Sequence, residues 1–321
     1  MAEDYTYIVA RIRAIEAAMP DRAWFQRLVR MSEDALLGAL REYYEGFETV
    51  HSILEFEKGI EAEKAAVIDL VTGMIADPKT RVFLRAGYDF DNVLHSWKAR
   101  RLGASSTLNP FGLVEPETVE KAIANGDGGA FPLYLRAFLE KLGTVGDSME
   151  LAQAEYIGEA AKWAFLLDRA PGKEPRAFVR ARIDLINIKT FVRMKRTALR
   201  KETLGDVWIG GGEIEPARLA GFLKEPEEEL YAFLERSSYR GLLRLGLNRD
   251  IPLWKIDPIS RLQLLDIMGE SRYSFFDISP VLYHLEIFER DVRLLRSIMV
   301  GRLNRMPEEI IMERVDALLP S

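Results

Sequence analysis

Residues 182–196 read RIDLINIKTFVRMKR, and a helix through them sets Asp184 and Asn187 on the same side as Ile188, Phe191 and Met194. Polar groups on an apolar face are costly unless they find partners. Either the stretch is not a helix, or its two polar side chains bond inside a packed structure. The answer decides the fold, because the pattern occurs twice.

Shifting the chain by 95 residues lays RVFLRAGYDFDN (81–92) on RAFVRARIDLIN (176–187), and six of the twelve positions agree. The identities pair Arg81 with Arg176, Phe83 with Phe178, Arg85 with Arg180, Ala86 with Ala181, Asp89 with Asp184 and Asn92 with Asn187. At average composition about one match is expected by chance. At an offset of 100, GLVEPETVEKAI (112–123) falls on GEIEPARLAGFL (212–223), and the offset returns to 95 where LRAFLE (135–140) meets LYAFLE (230–235). Two small compensating indels account for the change. The chain carries an internal duplication.

Within each copy Arg precedes Asp by four residues and Asn follows it by three. Arg85, Asp89 and Asn92 therefore line one helix stripe, as do Arg180, Asp184 and Asn187. As general acids or bases these carboxylates would form an enzyme's site, but catalytic groups are seldom copied to matching places in two repeats. The architectural reading is preferred: a carboxylate and an amide bonding to neighbouring backbone or to an arginine, which sets register. A degraded third copy lies in HLEIFERDVRLLRSIMVGRLNRMPEEII (284–311), with Glu286, Glu289, Arg293 and Arg296 followed by Pro307-Glu308-Glu309.

Outside the repeats, helical periodicity dominates. Ile8, Ile12 and Ile15 recur at helical spacing, as do Trp24, Leu28 and Met31, then Leu36, Leu37, Leu40 and Tyr44. Ser32 ahead of Glu33 and Asp34 is an N-cap signal. No alternating β-branched run appears, and Gly/Pro breakers separate about a dozen or more helical segments. The fold class is all-α.

Composition bounds the chemistry. Hydrophobic residues make up 48% and charged residues 29% of 321, which supports a packed core. There is no cysteine, so disulfides, thiolate metal sites and a cysteine nucleophile are excluded. His51, His95 and His284 have no partner at ligand spacing, so no metal and no cofactor is expected. Gly210-Gly211-Gly212 lacks a following Gly-Lys-Ser/Thr and reads as a loop leading into a helix. The opening residues do not form a secretory signal, and VIDLVTGMIA (67–76) is about half a membrane span. Net charge is −6, yet Lys98, Arg100 and Arg101 form one basic group, and Arg193, Lys195, Arg196, Arg200 and Lys201 another. They read as solvated faces or as contacts for acidic partner surfaces or lipid headgroups; the chain lacks the basic domain of a nucleic-acid binder. Trp97, Trp163, Trp208 and Trp254 read as core or inter-unit anchors, and Tyr43-Tyr44 and Phe275-Phe276 as core or interface aromatics.

The phrase DLINIKTFVRMKR resembles the central motif of the stalk-to-ring coupling protein lettered C in the A/V-type rotary ATPases and d in the eukaryotic vacuolar enzyme. The likeness extends to YTYIVARIRA (5–14), IGGGEIEP (209–216) and ERDVRLLRSIMVGRLNRMPEEII (289–311), with Val292 where the family pattern has Asn. It implies three similar helical units arranged as a pseudo-threefold funnel: residues 50–145, residues 146–240, and residues 241–321 closed by 1–49. It also implies a non-catalytic subunit, binding no nucleotide, on the cytoplasmic face of the proteolipid membrane ring. Such a subunit receives the central stalk, transmits torque for proton or sodium transport, and associates with the membrane peripherally. The competing reading from the residues alone is a generic helical repeat scaffold.

Overall fold

The computed structural model describes residues 5–144, 151–197 and 207–319. Among these residues the backbone forms fifteen α-helices joined by short 3-10 turns and loops, without a strand. The all-α expectation holds. In chain order α1 is Thr6–Ala18, α2 Arg22–Leu28, α3 Glu33–Tyr43 and α4 Phe56–Gly73. Then α5 is Pro78–Leu102, α6 Pro116–Asn125, α7 Leu133–Thr144, α8 Leu151–Arg169 and α9 Lys173–Thr197. They are followed by α10 (Pro216–Phe222), α11 (Glu227–Glu235), α12 (Gly241–Arg244), α13 (Ile256–Ile267), α14 (Ser279–Leu303) and α15 (Glu308–Leu318).

Local chemistry sets the boundaries. Ser32 Oγ accepts from the Ala35 N–H at 3.4 Å, with Glu33 and Asp34 in the first turn of α3, where the helix dipole favours anions. Asp77 caps α5 by accepting from Lys79 and Thr80 N–H, and Pro78 fills the first helical position, where no N–H is needed. The same helix stops at Gly103, whose φ of 63° suits a residue without Cβ. Pro116 and Pro216 open α6 and α10 in the same way as Pro78.

The chain folds as two compact units, one of Met1–Ile75 with Phe233–Ser321 and one of Ala76–Ala232. In the first, α1 and α2 pack on α14, and α2 also meets α15, joining the two ends of the chain. Trp24, Phe25, Leu28, Leu36 and Leu40 share a core with Phe288, Leu295, Ile298, Ile311 and Val315. Polar ties reinforce it. Arg302 donates to the Met31 carbonyl at 2.5 Å, Gln26 to Asp316 at 2.6 Å, and Arg296 to Glu57 at 2.8 Å.

In the second unit α5 packs against α6, α7 and α8, α8 against α9, and α9 against α10. Phe90 lies 5.6 Å from the Tyr134 ring and 5.4 Å from that of Phe138, inside a core with Val93, Val119, Phe131 and Leu135. Helix α9 is covered on nearly all sides: Ile183, Asp184, Leu185, Asn187 and Ile188 are all buried. A helix so enclosed must satisfy any polar group it carries, which returns to Asp184 and Asn187.

Candidate functional site

Both side chains grip the loop that leads into α10. The Asn187 amide works at both ends: Nδ2 donates to the Ile209 carbonyl at 2.8 Å, and Oδ1 accepts the Ile209 N–H at 2.9 Å. One turn earlier, Asp184 Oδ2 accepts from the Glu213 N–H at 2.8 Å and Oδ1 from the Ile214 N–H at 3.1 Å. The loop buries Val207, Ile209 and Ile214, so its backbone groups need partners that water cannot supply. Helix α9 supplies them.

Helix α5 repeats the clasp. Asn92 Nδ2 donates to the Asn109 carbonyl at 2.7 Å, and its Oδ1 accepts the Asn109 N–H at 2.7 Å. Asp89 Oδ1 accepts from Leu113 and Val114 N–H at 2.8 and 3.0 Å. Asn109, Leu113 and Val114 correspond to Ile209, Glu213 and Ile214 at the same offset of 100 that aligns the loops. Gly112 and Gly212 complete the match. A methyl group on either would overlap an oxygen of Asp89 or Asp184, so the carboxylate's close approach requires glycine there.

The copies differ in two respects. Asp89 Oδ2 also accepts from the Tyr134 hydroxyl at 2.9 Å. Arg85 donates from Nε to the Phe111 carbonyl at 2.9 Å and from Nη2 to that of Gly112 at 2.7 Å, whereas Arg180 is exposed and makes no such bond among the described residues. Burial pushes the Asp89 carboxyl above the usual carboxylate range, against the opposing pull of the Val114 and Leu113 N–H groups, the Tyr134 hydroxyl and Arg85. Tyr134 is raised in turn, by burial and by the adjacent Asp89 charge. Both carboxylates are fully buried with their oxygens engaged. A general acid or base needs an open position beside a reacting group; neither Asp89 nor Asp184 has one.

The basic residues are dispersed into local bonds. Lys98 pairs with Glu155 at 2.5 Å, Arg100 donates to the Ile123 carbonyl, and Arg101 lies 4.7 Å over the Trp97 ring. Lys195 donates to the Glu225 carbonyl at 2.5 Å, and Arg196 stands 3.9 Å from Glu227. Arg193 is exposed. Arg200 and Lys201 lie outside the described residues. His51 and His95 are exposed, while His284 is buried 3.7 Å from Glu16. Among the described residues no group of His, Asp and Glu is placed to hold a metal ion, and no helix is long and apolar enough to cross a membrane.

A family model for the ATP synthase (C/AC39) subunit matches residues 8–314. The chain belongs to the ATP synthase (C/AC39) subunit family. Residues 8–314 take in both clasps, so the duplicated architecture lies within the matched region. Among curated protein sequences nothing matches the chain.

Tyr134 went unread as the third partner of Asp89, because it is 45 residues away and no periodicity links the two. The recipients of the clasp, backbone N–H and C=O groups, carry no side-chain signature. Only the paired glycines at 112 and 212, kept in both copies, pointed to that loop.

Proposed function

We propose that this C/AC39 subunit is the non-catalytic coupling element of a rotary ATPase, seated between the central stalk and the proteolipid ring on the cytoplasmic face and transmitting torque for proton or sodium transport. The family match across residues 8–314 carries this reading. The duplicated clasp supports it mechanically. Fully bonded, glycine-tight loops on long helices resist local opening, which torque transmission demands of a coupler.

In this reading the chain comprises three similar units in a funnel, residues 50–145, 146–240 and 241–321 with 1–49. Helices α5, α9 and α14, each of 25 residues, form their equivalent spines. The exposed Arg193 is the proposed contact with an acidic partner surface; the other described basic residues already serve the protein's own fold.

Reconstitution with the stalk subunits and the membrane ring tests the proposal. Omitting this chain should abolish ATP-driven ion transport while leaving residual, uncoupled ATP hydrolysis by the catalytic head. Undiminished transport without it would refute the reading.

A further inference from the structure

A pocket in the unit formed by Met1–Ile75 and Phe233–Ser321 lies between α12, α13, the 3-10 turn Ser271–Tyr273 and α14, with a volume of about 410 Å³. Its charged lining is unbalanced, with Arg244, Arg272 and Arg290 against the single exposed carboxylate of Asp266. The guanidinium groups are incompletely used. Arg272 donates from Nη1 to the Tyr283 hydroxyl at 2.9 Å and from Nη2 to that of Tyr273, but its buried Nε has no acceptor among the described residues. Arg290 spends Nε and Nη2 on Asp291, at 3.0 and 2.8 Å. Arg244 is exposed, and its side chain makes no hydrogen bond or ion pair among the described residues.

The pocket also holds an amide acceptor. Gln263 is 1% exposed; its Nε2 donates to the Ser238 carbonyl at 3.2 Å, and its buried Oε1, packed beside Gly241, receives no hydrogen bond among the described residues. A buried amide oxygen without a donor is rare and asks for a ligand or water to complete it. The Tyr283 hydroxyl accepts from Arg272 and keeps its own proton to give. Leu245 and Leu262 line the remainder.

We propose that this pocket binds a phosphate monoester bearing a hydroxyl group. Guanidinium and tyrosine donors suit a tetrahedral oxyanion, which arginine grips with paired N–H groups. A ligand hydroxyl supplies the proton that Gln263 Oε1 lacks, and the leucines accept the organic stem, so the ester fits better than the free ion. A lipid headgroup and a free phosphorylated metabolite share this chemistry. The inference is independent of the torque-coupling role and stands or falls separately from it.

The test uses the full chain and four probes: glycerol 3-phosphate, inorganic phosphate, phosphatidylcholine vesicles, and the same vesicles containing phosphatidate. Calorimetry for the soluble probes should show saturable binding of glycerol 3-phosphate with Kd on the order of 0.1 mM, tighter than inorganic phosphate. Binding of the free ester alone assigns the metabolite source, and co-sedimentation with phosphatidate vesicles alone assigns the lipid source; either supports the proposal. R244Q should weaken binding about tenfold, and L245E, which sets a carboxylate at the rim, should abolish it. Circular dichroism melts confirm that both variants fold. If either fails to fold, protection of Arg244 in the parent chain from phenylglyoxal by glycerol 3-phosphate decides the matter, and an unprotected Arg244 overturns the proposal. No saturable binding of either phosphate probe or of phosphatidate vesicles overturns it, as does parent-like binding by both variants. So does capture of a hexa-aspartate peptide with no response to any phosphate, which would indicate a protein partner.

Discussion

Replacing Asp184 with Asn should cost much more than replacing Asp89 with Asn, although the two residues hold equivalent places in the duplicated clasp. The difference lies in how each carboxylate divides its bonds. Asp89 takes both loop N–H groups on Oδ1 and gives Oδ2 only to the Tyr134 hydroxyl. An Asn amide oxygen placed at Oδ1 keeps both backbone bonds, and its NH2 donates to the Tyr134 oxygen once that hydroxyl rotates. Because burial already pushes the Asp89 carboxyl up, removing the charge also relieves a desolvation cost. The net change should stay within about 1 kcal/mol.

Asp184 offers no such escape. Each oxygen holds one backbone N–H, Glu213 on Oδ2 and Ile214 on Oδ1. Asn must turn its NH2 toward one of them, donor against donor. One charge-assisted bond is lost, about 1.5–3 kcal/mol, and a buried N–H is orphaned, a further 1–3 kcal/mol or so, giving a loss of about 3–5 kcal/mol. Against a total stability of roughly 5–15 kcal/mol this should lower the urea midpoint by about 1–2 M. Equilibrium urea unfolding followed by tryptophan fluorescence measures it, since Trp97, Trp163 and Trp208 lie in the unit that holds both clasps. Equal losses within 0.5 kcal/mol or so, or the reverse order, would refute the bond-by-bond argument.

Three further expectations follow from the same geometry. Asn187→Asp faces the Ile209 carbonyl with a carboxylate oxygen and should cost at least about 3 kcal/mol at pH 7, with part of the loss recovered at low pH as the new acid protonates; urea midpoints at two pH values check it. Gly212→Ala forces a methyl group into the Asp184 carboxylate and should cost about 2–4 kcal/mol, whereas Gly210→Ala, with open space around it, should be nearly silent in the same melts. Asp291 is held at a pKa of about 6 by burial, against the pull of Arg290 and His284, so the folded state binds its proton more tightly than the unfolded chain. Its contribution to stability is therefore full below about pH 4 and is lost as pH rises through about 6; Asp291→Asn should flatten thermal stability between those values, and an unchanged slope would contradict the assignment.

How much was legible in the sequence depended on which atoms did the bonding. The stripe of Arg, Asp and Asn was readable because helix geometry converts spacings of four and three into one face, and because two copies agreed. The all-α class followed from the same periodicity. What the polar side chains bonded to was not readable, since loop backbone is the same at every residue. The divergence of Arg85 and Arg180 was hidden as well: identical residues at identical register, one bonded to loop carbonyls and the other exposed. The basic clusters show the converse limit. Adjacency in sequence grouped Lys98, Arg100 and Arg101, but a helix fans them out, and each found a separate acceptor or ring.

Helix α14 is the proposed spine of a third, degraded copy. It has the length of α5 and α9 and carries the fully buried Asp291, but Val292 stands where the family pattern has Asn. Asp291 accepts from Arg290, while among the described residues its Oδ2 and the buried Tyr44 hydroxyl in the same unit have no hydrogen-bond partner. In the two clear copies Asp and Asn thus spend their polar atoms on closing loops. Among the described residues the buried Asp291 Oδ2 of α14 stays uncompensated, which is costly. The phosphate pocket draws on that same helix through Tyr283 and Arg290. In this proposal the helix without an Asp–Asn pair is the one that contributes to a ligand site.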